Sequence, residues 1–225
     1  MARESLAVLA AILIAFSLDA WWDERRETAR MLDALDAVAT ELQVNMQLLD
    51  EAIEVNVQSV ASSDQVLRLS RDDVEQASPE EVGRWMSFPN YEEVRLQLGA
   101  ITAFIEGGFL AELPDRDLRS RLASIPRLQE EIDEEAAGVS GIQWKLTERF
   151  ILLVPVDEVL AASEKPEVLS AMFLAAVVSD ETSRQYMLNR NFALGSLYNE
   201  ELKMTREQVQ DILDALESWR SGGHG

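Results

Sequence analysis

Cysteine is absent from the 225 residues, and histidine occurs once, as His224 in the terminal SGGHG. Without cysteine there is no disulfide framework, no thiolate nucleophile and no Cys-based zinc or iron–sulfur site, and the redox compartment is left open. Without an internal histidine, Ser-His-Asp and Cys-His arrangements, HExxH zinc sites and the Glu-x-x-His di-iron pattern are all excluded. Basic residues are scarce too, 20 Lys and Arg against 41 Asp and Glu, for a formal net charge of -21 and a pI near 4.3. A phosphate backbone needs a basic stripe, so nucleic acid is not an expected partner, and flat adsorption on anionic lipid is disfavoured. The GxGxxG and GxxxxGK phosphate loops are missing, which leaves Gly107-Gly108 as a helix stop. The sequence therefore assigns no catalytic, cofactor-binding or metal-ligating residue, and no cofactor.

Glycine and proline are missing from Met1 to Ser78. Into this unbroken stretch falls the one long apolar run of the chain, Ser5 to Trp22. As a helix it reaches roughly 27 Å, close to a hydrocarbon core of about 30 Å. Arg3 and Glu4 bound one end; Asp19, then Trp21, Trp22, Asp23, Glu24, Arg25 and Arg26, bound the other. Trp21, Trp22, Arg25 and Arg26 match an interfacial anchor. Residues 1–22 are thus expected to be a transmembrane anchor, with the bilayer as partner. Two rival readings are a cleaved secretory signal ending near Ala15-Phe16-Ser17 and a buried soluble helix. Ala7, Ala11, Ala15 and Asp19 recur every four residues along one face, a candidate contact strip for a second copy or a membrane-protein partner, with chance composition as the alternative. Arg25, Arg26 and Arg30 outnumber Arg3, which leans the C-terminal body toward the cytoplasmic side of an inner membrane.

With no breaker before Ser78, residues 23–78 are expected to form a long amphipathic stalk helix. Leu32, Leu35, Ala39, Leu42, Met46, Leu49, Ile53, Asn56, Val60, Ser63 and Leu67 alternate at spacings of three and four, the seam of a bundle helix or a coiled coil. Residues 79–220 form the body. Ser78-Pro79-Glu80-Glu81 predicts a capped helix start, and Asn90-Tyr91-Glu92-Glu93 a second one, running through Val94, Leu98, Ile101 and Ile105 to the Gly107 stop. Pro126 either kinks a helix or opens the next. The carboxylates from Glu130 to Glu135 lack a calcium-loop spacing and read as a solvated face. FILLVPV at 150–156 and VLSAMFLAAVV at 168–178 are too short to span and read as core. Residues 221–225 read as a disordered tail. Period-two runs rich in Val, Ile and Thr are missing. The expected class is all-α: an N-terminal transmembrane helix continuing into a long stalk, packed with antiparallel helices in a bundle.

The opening Glu4, Ala11, Ile14, Asp19 and Trp21, set in an ILIA core ahead of a charged helix, resembles a family of uncharacterised bacterial single-pass membrane proteins. The segment Tyr91 to Leu122, with Leu98-Gly99-Ala100 at its centre, is similar to that family's internal helix–turn–helix. The resemblance implies a tethered helical domain and brings no assigned activity. Together these readings favour a non-enzymatic scaffold or accessory subunit; the alternatives are a ligand or stress sensor and a carboxylate-dependent enzyme.

Overall fold

Sixty-five residues, Ala2–Val66, wind into the first helix, α1, as the missing breakers predict. A computed structural model describes the backbone of residues 2–224 and the side chains of residues 13–222. The remaining helices are α2 (Arg71–Gln76), α3 (Pro79–Trp85), α4 (Gly99–Glu106), α5 (Phe109–Glu112), α6 (Arg116–Leu153), α7 (Val156–Ala162), α8 (Pro166–Ser179), α9 (Glu181–Phe192) and α10 (Asn199–Trp219). A π-helical turn, Ala193–Tyr198, joins the last two, and no strand occurs among the described residues. The protein is all-α and its helices pack as a bundle. Among the described residues no helix is long and apolar enough to cross a membrane. Most of the expected span, including Ala7 and Ala11, lies outside the described side chains.

Contacts divide the chain into two compact units, each assembled from three separate segments or two. The first comprises Met1–Val44, Gln97–Ala123 and Ile212–Gly225. Its core joins Leu35, Val38 and Leu42 of α1 to Ile101, Phe104, Leu118, Leu122, Ile212 and Leu216, all buried. No side chain caps α4 from its own N-cap position, Leu98. Glu41 of α1 does so instead, accepting from the backbone N–H of Ala100 at 2.7 Å and of Ile101 at 3.1 Å, so a remote carboxylate satisfies donors that every helix start leaves open. The helix stops at Gly107-Gly108 as expected, with Gly108 at φ 84°, a conformation that only glycine adopts without strain. Asp115 caps α6 by accepting from Asp117 and Leu118 N–H. Beyond α10 the chain winds on as a π-helical turn, Arg220–His224, where a disordered tail was expected. Burial of Trp219 and the Arg220–Asp36 ion pair hold the helix end in place.

The second unit comprises Asn45–Leu96 and Ser124–Asp211. Two corrections to the sequence reading fall here. First, α1 ends at Val66 instead of near Ser78. Arg184 donates to the carbonyls of Leu67 and Leu69, and Ser70 and Asp73 form a capping box that opens α2, so the carbonyls are satisfied off-axis and a new helix starts early. The Ser78–Glu81 box of α3 forms as expected. Second, the helix expected from Asn90 does not form; the chain is non-helical until Gly99. Of the two readings of Pro126, it lies inside a helix, α6, and opens no new one.

The seam of α1 also differs in detail. Leu35, Leu42, Met46, Leu49, Asn56 and Ser63 are buried as expected, but four other layers are Val38, Ala52, Ser59 and Val66, one residue earlier than the expected Ala39, Ile53, Val60 and Leu67. At Ile53 and Val60 the pattern reading chose the more apolar neighbour of Ala52 and Ser59. The fold buries Ser59 because its hydroxyl donates to the carbonyl of Phe88 at 2.8 Å. On the far helices the buried positions run Met187, Arg190, Leu194, Tyr198, Leu202, Thr205 and Val209. Three successive steps of four, from Arg190 to Leu202, break the three–four alternation, and the π turn absorbs the extra residue so that Tyr198 still faces the core.

Candidate functional site

The residues singled out at the N-terminal anchor fall along the start of α1. Leu13, Ile14, Phe16, Leu18, Trp21 and Trp22 all lie between 48% and 68% exposed, spread over roughly two thirds of the helix circumference at about 100° per residue. Ala15 and Asp19 are exposed as well, and Ala7 and Ala11 lie outside the described side chains. Of the expected interfacial group, Trp21 and Trp22 meet edge-on with ring centroids 5.6 Å apart, and the Arg25 guanidinium lies 5.2 Å from the Trp21 centroid. Arg26 is exposed and outside this cluster.

In the second unit the non-helical segment is tied down by side chains from four helices. Asn56 of α1 grips Glu92 from both sides, accepting from its N–H at 2.8 Å and donating to its carbonyl at 3.3 Å. Gln129 of α6 repeats this one step on, accepting from Leu96 N–H at 2.6 Å and donating to Val94 C=O at 3.3 Å. The Tyr198 hydroxyl accepts from Val94 N–H at 2.9 Å, and burial pushes that phenol up to about 12. These side chains stand in for a neighbouring strand: each supplies the partners that the backbone would otherwise lack. Arg190, fully buried, donates to Asn90 C=O, Ser59 Oγ and Gln143 Oε1. Among the described residues no carboxylate pairs with it and Nη1 has no partner; burial draws its guanidinium down to about 10. Sequence reasoning missed Asn56's role, Gln129, Tyr198 and Arg190. The signal was a polar residue on each apolar seam; its partner was not legible.

A concavity of the same unit lies where α2, α3 and α7 meet α8. Two capping boxes start α2 and α3 in quick succession, Pro155 ends α6, and Pro166 starts α8, so four short connections converge there. The cavity measures about 600 Å³. Val74, Val82, Val154 and Met172 give it an apolar floor, which the small side chains of Ala171 and Ala175 also line. Its lip carries Arg71, Glu75, Glu158 and Glu167. Arg71 is bonded to Glu75 at 2.6 Å. Beside it, Ile151, Leu152, Val156 and Leu160 are 62% to 73% exposed. The lining offers carboxylates, a paired guanidinium and apolar surface, with no nucleophile set against a base. No group of three metal-ligating residues gathers among the described residues, and Glu130, Asp133 and Glu134 face solvent on α6. No family model, curated protein or solved structure matches this chain.

Proposed function

We propose that this protein is a membrane-tethered helical interaction protein, a scaffold or accessory subunit without catalytic chemistry of its own. The observation that supports it is the exposed collar from Leu13 to Trp22: six large apolar side chains spread over roughly two thirds of the helix circumference at about 100° per residue, all left exposed, with Ala15 and Asp19 on the remaining arc. Water solvates such a surface poorly, at about 25 cal/mol for each Å² left exposed. A bilayer removes that cost, and the Trp21, Trp22 and Arg25 cluster has the amphipathic character of a headgroup boundary. The resemblance of Glu4, Ala11, Ile14, Asp19 and Trp21 to the single-pass family points the same way. The test is alkaline carbonate washing of membranes holding the full chain, with intact-mass analysis. Retention in the pellet with an unprocessed N-terminus is expected. Release to the supernatant, or loss of residues through about Ser17, refutes the tether.

A second reading, a ligand-binding or stress-sensing domain, is favoured by the groove of about 600 Å³, which lies within the range of small-molecule sites. Thermal shift against a small-molecule collection tests it, a set of hits whose shifts vanish when the groove is filled being the expected outcome.

A further inference from the structure

We propose that the groove formed by α2, α3, α7 and α8 binds an amphipathic organic cation, an alkylamine or alkylammonium whose tail lies on Val74, Val82 and Met172 and whose head group sits between Glu158 and Glu167. The inference rests on the ligand-binding reading and gives that ligand a charge and a shape.

The space is built by residue choice. α8 turns Ala171 and Ala175 toward the valines of α2 and α3, and a larger aliphatic residue at either place would close the gap. The floor therefore accepts an apolar chain. No aromatic residue lines the groove, which excludes a stacked planar ring as the recognised feature. Selectivity for charge follows from the lip. One Arg and three Glu surround the opening; Arg71 is bonded to Glu75, which leaves two carboxylates. Glu158 and Glu167 make no ion pair with any described residue, and they approach the same opening from different helices, α7 and α8. A neutral ligand leaves that pair unanswered, an anion is repelled by it, and a cation with an apolar tail satisfies both parts of the site at once.

The test uses the full chain in nanodiscs of neutral phosphatidylcholine, with Met methyl groups labelled so that Met172 reports occupancy of the groove directly. Hexyltrimethylammonium is the probe, with hexanol and hexyl sulfate as neutral and anionic controls. Saturable movement of the Met172 resonance is expected with the cation, weaker movement with hexanol and none with hexyl sulfate. The double variant Glu158→Gln, Glu167→Gln, isosteric and on the surface, should weaken the cation about two- to thirtyfold, taking each exposed pair at about 1.4- to fivefold, and leave hexanol unchanged. Val168→Lys, at a lining position 41% exposed, should weaken the cation more than hexanol. Equal binding of hexanol and the cation, a preference for hexyl sulfate, or indifference to the Gln pair overturns the cation while the ligand-binding reading stands. No movement with any probe overturns both.

Discussion

Replacing Arg190 by Met removes a buried guanidinium while keeping an unbranched chain of similar reach. Two opposing terms set the outcome. Burial lowers this group from the ordinary guanidinium range to about 10, so holding it charged at neutral pH costs roughly 3 kcal/mol, which the substitution relieves. Against this stand three charge-assisted hydrogen bonds, to Gln143, Ser59 and Asn90, worth about 1.5 to 3 kcal/mol each, or about 4.5 to 9 kcal/mol together. The hydrogen bonds win, and Arg190→Met should destabilise the protein by about 1.5 to 6 kcal/mol. Urea unfolding of the full chain in a non-ionic detergent, followed by circular dichroism, measures this. Amide exchange supplies the location, since Asn90 C=O and the hydroxyl that holds Phe88 both lose their partner; protection across residues 88–96 should fall before that of α10. The sign with pH follows from the same shift. The folded pKa is depressed, so above about 10 the unfolded chain binds more protons, and the burial penalty, complete at neutral pH, is relieved as pH rises from about 10 toward the ordinary guanidinium range. A Met variant as stable as the parent, or more so, would refute the reasoning and make Arg190 a net liability, as other buried ions have been.

Three further predictions concern the same unit. Asn56→Asp keeps an acceptor for Glu92 N–H but sets a carboxylate against Glu92 C=O, so it should cost about 1 to 3 kcal/mol at neutral pH and less in acid, where protonation restores a donor; a pH series of urea midpoints reads the difference. Tyr198→Phe orphans the buried Val94 N–H and should cost about 1 to 3 kcal/mol, with loss of protection at that single amide. Asp180 is held well below the usual carboxylate range by its hydrogen bonds with Arg149, at 2.7 and 3.0 Å, and by Ser183, whose N–H it caps. Because that pKa is depressed, its contribution is present above about pH 4 and is lost as pH falls through the carboxylate range. Asp180→Ala should therefore lower stability by about 1 to 2 kcal/mol at neutral pH and flatten the acid limb of the stability curve; an unchanged limb would count against the pair.

What was legible from residues alone is what is local along the chain. A stretch without glycine or proline became one helix through Val66, Ser78-Pro79-Glu81 capped a helix, Gly107-Gly108 ended one and Pro166 began another. Each outcome depends on neighbours within a turn, where backbone donors, a short polar side chain or a fixed φ decide the matter. The composition likewise removed whole classes of chemistry, since a side chain that is absent cannot be supplied by folding. Tertiary structure decided the rest. The Asn90-to-Glu93 stretch carries a good local helix start, yet the chain stays non-helical there because Asn56, Gln129 and Tyr198, between 33 and 104 residues away, offer the backbone of Glu92, Val94 and Leu96 better partners. The same competition moved the α1 seam onto Ser59 and buried an arginine with no carboxylate. The groove was hidden for a related reason. Ala171 and Ala175 are unremarkable in an apolar run, and they border a cavity only once α2 and α3 are brought against α8, because empty space belongs to the distance between elements and has no residue of its own.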